Sequence, residues 1–213
     1  MKKVAIIGAG DLGRLIAHHI SQCGDYSAVG FFDDFAEEGS FIMELPVLGP
    51  LSRINDQFET GLFDQLMIGI GYNHMAFRRS VFETYASSIP FATLIHNSAY
   101  VDPSVKIGQG CFVLPGCTVD AHAELGENVL LNTASVVAHD STIGSHTFLA
   151  PAVAVAGKTQ IGDCCILGIN CTVIDNLRIH PNIRIGAGAV VLSNLEISGM
   201  YAGIPAQLKK VYS

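Results

Sequence analysis

The strongest constraint in this sequence is a period of six residues that runs unbroken through its second half. Every sixth residue from position 95 to position 191 is aliphatic: Ile95, Val101, Ile107, Val113, Val119, Leu125, Leu131, Val137, Ile143, Leu149, Val155, Ile161, Leu167, Val173, Ile179, Ile185 and Val191. A period of six is neither the 3.6-residue repeat of a helix nor the two-residue alternation of an exposed strand. It predicts a coil in which each repeat supplies one short strand and one corner.

A second inward position lies four residues after each aliphatic and holds small or apolar side chains. Four cysteines occupy it and are predicted to be core residues, because a free thiol packs as a small hydrophobe: Cys111, Cys117, Cys165 and Cys171. Glycine often follows the aliphatic directly, as at Gly108 and Gly144, which suggests a corner that needs freedom in φ. Three repeats would close one triangular turn, so that residues three repeats apart stack at about 4.8 Å.

Composition narrows the class of protein. The net charge of −7, without a Lys/Arg cluster, argues against a nucleic-acid or anionic-membrane partner. The apolar run near the N-terminus is short and is interrupted by Gly8, Gly10, Asp11 and Arg14, so no targeting or membrane-spanning segment is expected. A soluble, cytoplasmic protein is expected.

The first ninety residues have the pattern of a different domain. Residues 3–8 resemble a buried strand, Gly8-Ala-Gly10-Asp-Leu-Gly13 leads into a helix that reaches about Cys23, and residues 28–32 form a second strand. This is a βαβ unit with a G-x-G-x-x-G turn, and Asp33 follows Gly13 at the spacing that dinucleotide-binding sites use for an acidic residue. Such a turn binds phosphate at the helix N-terminus, with the acid on the ribose.

The ninety residues are too few for both halves of a dinucleotide-binding domain, and no hydride-transfer residues follow. A further strand at 65–71 and a helix from about His74 to Ser87 fit a small parallel sheet with one binding edge. The residues expected to bind a sugar nucleotide there are Gly10, Asp11, Leu12, Asp33, Asp34 and Gly71. The alternative is that these glycines only shape tight turns.

This organisation resembles the sialic acid O-acetyltransferase and sugar-nucleotide N-acetyltransferase family, which includes enzymes that modify UDP-4-amino sugars in bacterial glycan pathways. The stretches that carry the resemblance are Gly8-Ala-Gly-Asp-Leu-Gly13, Phe32-Asp-Asp34, Ile70-Gly-Tyr-Asn73, Leu131-Asn-Thr-Ala-Ser-Val-Val-Ala-His-Asp140 and Tyr201-Ala-Gly-Ile-Pro-Ala206. It implies a Rossmann-like α/β lobe at 1–90, a left-handed parallel β-helix at 91–198 and a C-terminal loop and tail at 199–213. It also implies an acetyl-CoA co-substrate and a homotrimer with active sites between subunits.

The resemblance also implies the catalytic residues. His139 matches the family's general base and Asp140 the acid that follows it. An imidazole that titrates near neutrality suits removal of a proton from the acceptor. Asn132 matches an active-site Asn, although a corner Asn that tolerates the left-handed conformation is the alternative. The Gly157 N–H matches the donor that stabilises the oxyanion.

The expected CoA contacts are Gly157, Ile169, Ala187 and either His146 or Phe148, since Phe148 stands where relatives often carry a CoA-contacting His. His122 lies three repeats before Asp140, and whether the two pair is open. A second departure is Asp11-Leu12-Gly13, where many relatives have Gly-His-Gly, so phosphate and sugar recognition cannot be transferred directly.

These observations lead to three hypotheses of function. The first is an acetyltransferase that acts on the amino group of a nucleotide-linked sugar in surface-glycan biosynthesis. The second is an O-acetyltransferase acting on sialic acid or another sugar hydroxyl, and the third is a non-catalytic nucleotide-binding trimer. No metal site is expected, because Cys164-Cys165 lack CxxC spacing and His122, His139 and His146 do not all occupy the same position in their repeats.

Overall fold

The computed structural model describes residues 1–212. The chain forms two compact units, Met1–His96 and a second that begins at Asn97, and each is described by itself. The domain boundary expected at residue 90 lies a few residues before this division and stays a prediction.

The first unit is built on a five-stranded sheet in the order β3-β4-β2-β1-β5. Its strands are β1 (Lys2–Ile7), β2 (Tyr26–Phe32), β3 (Phe41–Ile42), β4 (Leu45–Gly49) and β5 (Gln65–Ile68). A further short strand, β6 (Leu94–Ile95), lies at the C-terminal end of the first unit and is not part of this sheet. Strands β1, β2, β4 and β5 run parallel, whereas β3 pairs with β4 in antiparallel orientation. The apolar run of β1 lies between β2 and β5 in this sheet, and Val4 to Ile7 are buried, as expected for a parallel strand covered on both faces.

Three helices accompany the sheet: α1 (Asp11–His19), α2 (Ile54–Glu59) and α3 (Met75–Tyr85). Several expected bounds differ. The first helix, expected to reach about Cys23, ends at His19 and is followed by a 3₁₀ turn at Ile20–Gln22. The strand predicted to reach Gly71 ends at Ile68, because the backbone at Gly69 approaches the glycine loop, where an added Cβ would lie 2.5 Å from Gly13 Cα. The third helix is also shorter than expected. No described helix is long and apolar enough to cross a membrane.

The second unit is a parallel β-helix whose short strands, of two residues each except the three-residue β21, form three stacks, here called the β13, β14 and β15 sheets. The β13 sheet contains β7 (Tyr100–Val101), β10 (Thr118–Val119), β13 (Val136–Val137), β16 (Ala154–Val155), β19 (Thr172–Val173) and β22 (Val190–Val191). The β14 sheet contains β8 (Lys106–Ile107), β11 (Glu124–Leu125), β14 (Thr142–Ile143), β17 (Gln160–Ile161) and β20 (Arg178–Ile179). The β15 sheet contains β9 (Phe112–Val113), β12 (Leu130–Leu131), β15 (Phe148–Leu149), β18 (Ile166–Leu167) and β21 (Ile183–Ile185).

The register confirms the period. Strands three repeats apart pair in parallel, as Val137 does with Val119 and Val155. The six-residue aliphatics are almost all buried, and the four cysteines of the second inward position are no more than 1% exposed. The prediction that they are core residues is confirmed. Burial raises the pKa of Cys165 and of Cys171 to about 12.

The role expected for the glycines after each aliphatic was wrong. Positive φ occurs three residues after the aliphatic, at corner residues such as Asp140 (57°), Lys158 (57°) and Asn176 (62°). Gly108 and Gly144 are needed instead for close approach between coils. A Cβ at Gly144 would lie 2.5 Å from Asp163 N, and one at Gly108 would lie 2.8 Å from Glu127 N.

The C-terminal segment, expected to be a loop and tail, contains two further strands. Strand β23 (Gly199–Ala202) pairs in parallel with β21, and β24 (Gln207–Val211) pairs with β23 in antiparallel orientation. Ile183 pairs with Gly199. These two residues are closer in sequence than the three full repeats that separate paired residues in the earlier coils. The six-residue period therefore could not predict this strand. Gly199 leaves no room for a side chain against the Lys210 carbonyl.

Candidate functional site

The first candidate site lies at the corner that joins β13 to β14. His139 Nδ1 and Asp140 Oδ2 are 2.8 Å apart, and the two side chains are 53% and 45% exposed. The hydrogen bond from His139, together with the charges of His139, His122 and Lys158, lowers the pKa of the Asp140 carboxyl. Because an ionised carboxylate only accepts hydrogen bonds, Nδ1 donates to it. Nε2 is then left as the proton acceptor.

Gly157 lies directly beside that nitrogen. A Cβ at this position would be 2.8 Å from His139 Nε2 and 2.9 Å from Cε1, so a side chain would displace the imidazole. The Gly157 carbonyl accepts a hydrogen bond from Asn176 N at 3.1 Å. Its N–H has no acceptor among residues 1–212. The corner therefore combines a proton acceptor with an unused backbone donor.

Asn132 and His122 are less closely connected with this pair. Asn132 Oδ1 accepts a hydrogen bond from Thr133 N at 2.8 Å, within its own corner. His122 acts on the Asp140 carboxylate through its charge, and also on Asp102. The structure brings His139, Asp140 and Gly157 together. The catalytic role of Asn132 stays a prediction.

The residues expected to contact CoA fall into two groups. His146 is 7% exposed, with its Nδ1 3.0 Å from Asn128 Nδ2, and Phe148 is 8% exposed. Ile169 is 57% exposed, and Ala187 is also exposed. Exposure therefore favours contact at Ile169 and Ala187. All four roles stay predictions.

The second candidate site is a cavity of about 650 Å³ in the first unit, at the carboxyl ends of β1, β2 and β5. Its lining includes every residue predicted to bind substrate: Gly10, Asp11, Leu12, Asp33, Asp34 and Gly71. Crevices at this edge of a parallel sheet are where open α/β folds bind ligands.

The glycines of this cavity serve two different purposes. A Cβ at Gly13 would collide with the Gly8 carbonyl oxygen, so Gly13 is required by packing, and Gly8 has a φ of +97°. Gly10 and Gly71 line the cavity, yet a Cβ at either would meet nothing within 4 Å. Packing therefore does not explain these two glycines, and the prediction that a ligand approaches the backbone there stays a prediction.

The acids predicted to bind ribose also hold the loops in place. Asp33 Oδ2 accepts a hydrogen bond from Ala9 N at 2.8 Å, and Oδ1 accepts from Phe35 N at 2.8 Å and Ala36 N at 3.1 Å. Asp34 Oδ1 accepts from Leu51 N at 2.8 Å. Asp33 thereby ties the glycine loop to the loop after β2. Its contact with a ribose stays a prediction.

Sequence reasoning did not identify two aromatic residues of the cavity and one buried arginine. Phe35 is 97% exposed and Phe77 is 51% exposed, and both line the cavity. The position of Phe35, directly after the acids that end β2, was the available signal. Arg78 is 2% exposed and donates from Nη1 to the carbonyls of Ile68 (2.7 Å) and Ile70 (3.0 Å), which fixes the end of β5.

Among residues 1–212, no three His, Cys, Asp or Glu side chains are arranged to hold a metal ion.

Comparisons with known proteins cover both units. A family model described as the PglD N-terminal domain matches residues 3–85. PerB from Caulobacter crescentus, solved in complex with CoA and GDP-perosamine, is 30% identical with a TM-score of 0.90, over 98% of this chain and 98% of that one. The acetyltransferase domain of PglB from Neisseria gonorrhoeae FA1090 is 28% identical with a TM-score of 0.89, over 98% and 100% of the chains.

WeeI from Acinetobacter baumannii AYE has the same fold, with 21% identity and a TM-score of 0.83 over 98% of this chain and all of that one. A comparison with curated protein sequences finds no match.

Proposed function

Because the chain belongs to the hexapeptide-repeat sugar acyltransferases and is itself an acyltransferase, we propose that it transfers acetyl from acetyl-CoA to the amino group of a nucleotide-linked amino sugar. The observation that carries this proposal is the His139–Asp140 pair, with Nδ1 and Oδ2 2.8 Å apart and the Gly157 backbone against Nε2.

The donor and the acceptor are supported by different relatives. The PglB domain has also been solved with acetyl coenzyme A, which supports acetyl-CoA as the donor. PerB was solved with CoA and GDP-perosamine, and a variant of a GDP-perosamine N-acetyltransferase from the same organism was solved with the same two ligands. These findings support a nucleotide-linked sugar and favour an amine over a hydroxyl as the acceptor.

Each residue of the corner has a task in this reaction. His139 Nε2 accepts the proton that the sugar amine loses as its nitrogen attacks the thioester carbonyl. Asp140 holds the ring through Nδ1 and stabilises the imidazolium that forms. The Gly157 N–H donates to the carbonyl oxygen as negative charge develops there, on a rigid coil that needs no reorganisation. The C–S bond breaks, and His139 returns the proton to the departing thiolate sulfur.

The cavity of the first unit is assigned to the nucleotide. Gly10 and Gly71 allow a diphosphate or ribose to approach the backbone, near the N-terminus of α1. Phe35 and Phe77 present aromatic faces on which a base can stack. Nucleotide binding is therefore proposed for the lobe predicted at 1–90, and acetyl transfer for the β-helix predicted at 91–198.

A homotrimer is proposed for the assembly. The outward residues of the β13 sheet carry no charge: Tyr100, Thr118, Val136, Ala154, Thr172 and Val190. The equivalent positions of the β14 sheet include Lys106, Glu124 and Arg178. Tyr100 is 55% exposed and Val136 is 39% exposed. We therefore propose that a second copy of this chain packs against this uncharged face and buries it. Such packing would give a CoA groove its second wall.

The test is a thiol-release assay with acetyl-CoA against a panel of GDP-, UDP- and dTDP-linked amino sugars. We expect CoA release that depends on one class of nucleotide sugar, with an acetylated amine in the product by mass spectrometry. Acetylation of a hydroxyl, or transfer to free sugars with no preference for nucleotide sugars, would contradict the proposed acceptor. Failure to bind acetyl-CoA would contradict the proposed donor.

A further inference from the structure

Three residues form a column of alternating charge beside the proposed base. His122, Asp140 and Lys158 occupy the same corner of successive coils, with φ values of 59°, 57° and 57°. Backbone hydrogen bonds hold the column in register: Asp140 N donates to Ala121 O at 3.0 Å, and Lys158 N donates to His139 O at 3.0 Å. The carboxylate that orients the imidazole therefore lies between two groups that can carry positive charge.

The two flanking groups differ in how constant their charge is. Both His122 and Lys158 favour the ionised form of Asp140 and so contribute to the lowered pKa of its carboxyl, after the hydrogen bond from His139. A histidine changes charge near neutrality, and His122 also acts on Asp102. A lysine ammonium keeps its charge at neutral pH. Lys158 is thus the constant positive charge in this column.

We propose that Lys158 is a positioning residue that sets how readily His139 accepts the proton of the substrate, through the positive charge that it holds at the next corner of the column that contains Asp140. The inference rests on the proposed function of His139 as general base. Asp140 stabilises the imidazolium, and an isolated pair would hold a proton on His139 to higher pH. The positive charge of Lys158 offsets part of that stabilisation, so His139 stays unprotonated, and able to act, at lower pH.

Other groups around the imidazole do not supply this charge. Gly157, on the next coil, has no side chain and lies against Nε2. Asp175, one coil further along the column of His139 and Gly157, is negative, and its carboxylate accepts a hydrogen bond from Asn176 Nδ2. The positive charges that act on the Asp140 carboxylate, apart from His139 itself, are therefore those of His122 and Lys158.

The experiment compares pH profiles of kcat/KM for the full-length protein and for Lys158→Asn. Asparagine is the suitable neutral residue because Asn176 occupies the same corner on the next coil with a φ of 62°, so the fold should be retained. We expect the acidic limb of the profile to move to higher pH by about half a unit. This is the pKa shift expected when one unit charge is removed several ångströms from an imidazole that is largely exposed to solvent. Lys158→Arg keeps the charge and should retain the wild-type profile.

The matched control is Lys106→Gln, which removes one positive charge from the exposed Lys106–Glu124 pair on the β14 sheet. Its profile should superimpose on that of the wild type. The titration curve of the His139 ring, followed by NMR without substrate, should move in the same direction as the kcat/KM profile in Lys158→Asn.

The inference is overturned if the acidic limb of Lys158→Asn coincides with the wild type, even when its rate falls uniformly, since a merely structural role predicts that result. It is also overturned if Lys106→Gln shifts the limb equally, because net charge would then be the cause. Failure of the proposed function looks different: the wild type would transfer no acetyl, or His139→Ala would retain full activity, while the NMR titration would still report on Lys158.

Discussion

At the scale of single residues, the proposed chemistry depends on the two nitrogens of one imidazole. The Asp140 carboxylate occupies Nδ1, and the Gly157 backbone lies beside Nε2. Because the pKa of Asp140 is lowered, its side chain stays ionised at pH values at which an ordinary aspartate would already be protonated. The carboxylate, and with it the hydrogen bond to His139, is lost only as the pH falls through that lowered pKa. The hydrogen bond is therefore present throughout the neutral range.

Replacing His139 by alanine should lower kcat by about two to four orders of magnitude, the usual weight of a general base. Because the side chain is 53% exposed, the thermal midpoint should change little. The measurement is steady-state kinetics with the acceptor found in the thiol-release assay. His180→Ala, an exposed histidine elsewhere on the β-helix, is the control and should retain wild-type kinetics. Near-native turnover by His139→Ala would remove His139 from the mechanism.

Replacing Phe35 by alanine should raise KM for the nucleotide sugar by about tenfold while kcat stays near the wild-type value, since stacking on one base contributes about 1–3 kcal/mol. Phe41→Ala is the matched control, because Phe41 is 72% exposed in the same unit but does not line the cavity. Equal KM values for the two variants would argue against a stacking role for Phe35.

At the scale of elements, each corner of the β-helix combines two separate requirements. The residue after the aliphatic must be small where the next coil passes closely, whereas the left-handed residue lies two positions later. His122, Asp140 and Lys158 are at this second position. The scaffold thus tolerates different side chains at the left-handed corner, and the proposed site uses that freedom.

Gly144→Ala should destabilise the protein by about 1–3 kcal/mol, because the new Cβ would lie 2.5 Å from Asp163 N and backbone must shift to accept it. The measurement is urea unfolding. Gly10→Ala is the control: its Cβ meets nothing within 4 Å, and its φ of −74° suits alanine. If the two variants unfold at the same urea concentration, close coil approach is not what requires Gly144.

At the scale of the whole molecule, the three faces of the β-helix differ in charge and exposure: the outward positions of the β13 sheet are uncharged, those of the β14 sheet include charged residues, and those of the β15 sheet are mostly buried apolar residues. The β13 face carries Tyr100 and Val136 exposed to solvent in a single chain, whereas the β14 face carries the Lys106–Glu124 ion pair. Charged residues are depleted at the core of protein interfaces. This asymmetry identifies the β13 face as the one to test for self-association.

Light scattering should give a mass three times the 22.6 kDa of one chain. Val136→Lys should shift the protein towards monomer and reduce acetyl transfer, since it buries an unpaired charge in the proposed interface. Thr142→Lys, on the charged β14 face, should keep the wild-type mass. A wild-type monomer with full activity would refute the trimer and the shared active site.

The sequence alone determined the coiled architecture, register and core of residues 95–191, because the period of six stacks aliphatics three repeats apart in one core. Val137 between Val119 and Val155 is one consequence. The sequence also located the glycine loop and the acids at the sheet edge, since turn chemistry is local.

Tertiary structure decided what the period does not encode: that it is Nε2 of His139 that faces the Gly157 backbone, that Asp33 spans two loops, and that Ile183 pairs with Gly199 outside the six-residue register. It also decided which glycines have room for a side chain and which do not. The distinction is physical, because periodic burial is encoded along the chain, whereas contacts within a few ångströms arise only when separate coils and loops are brought together.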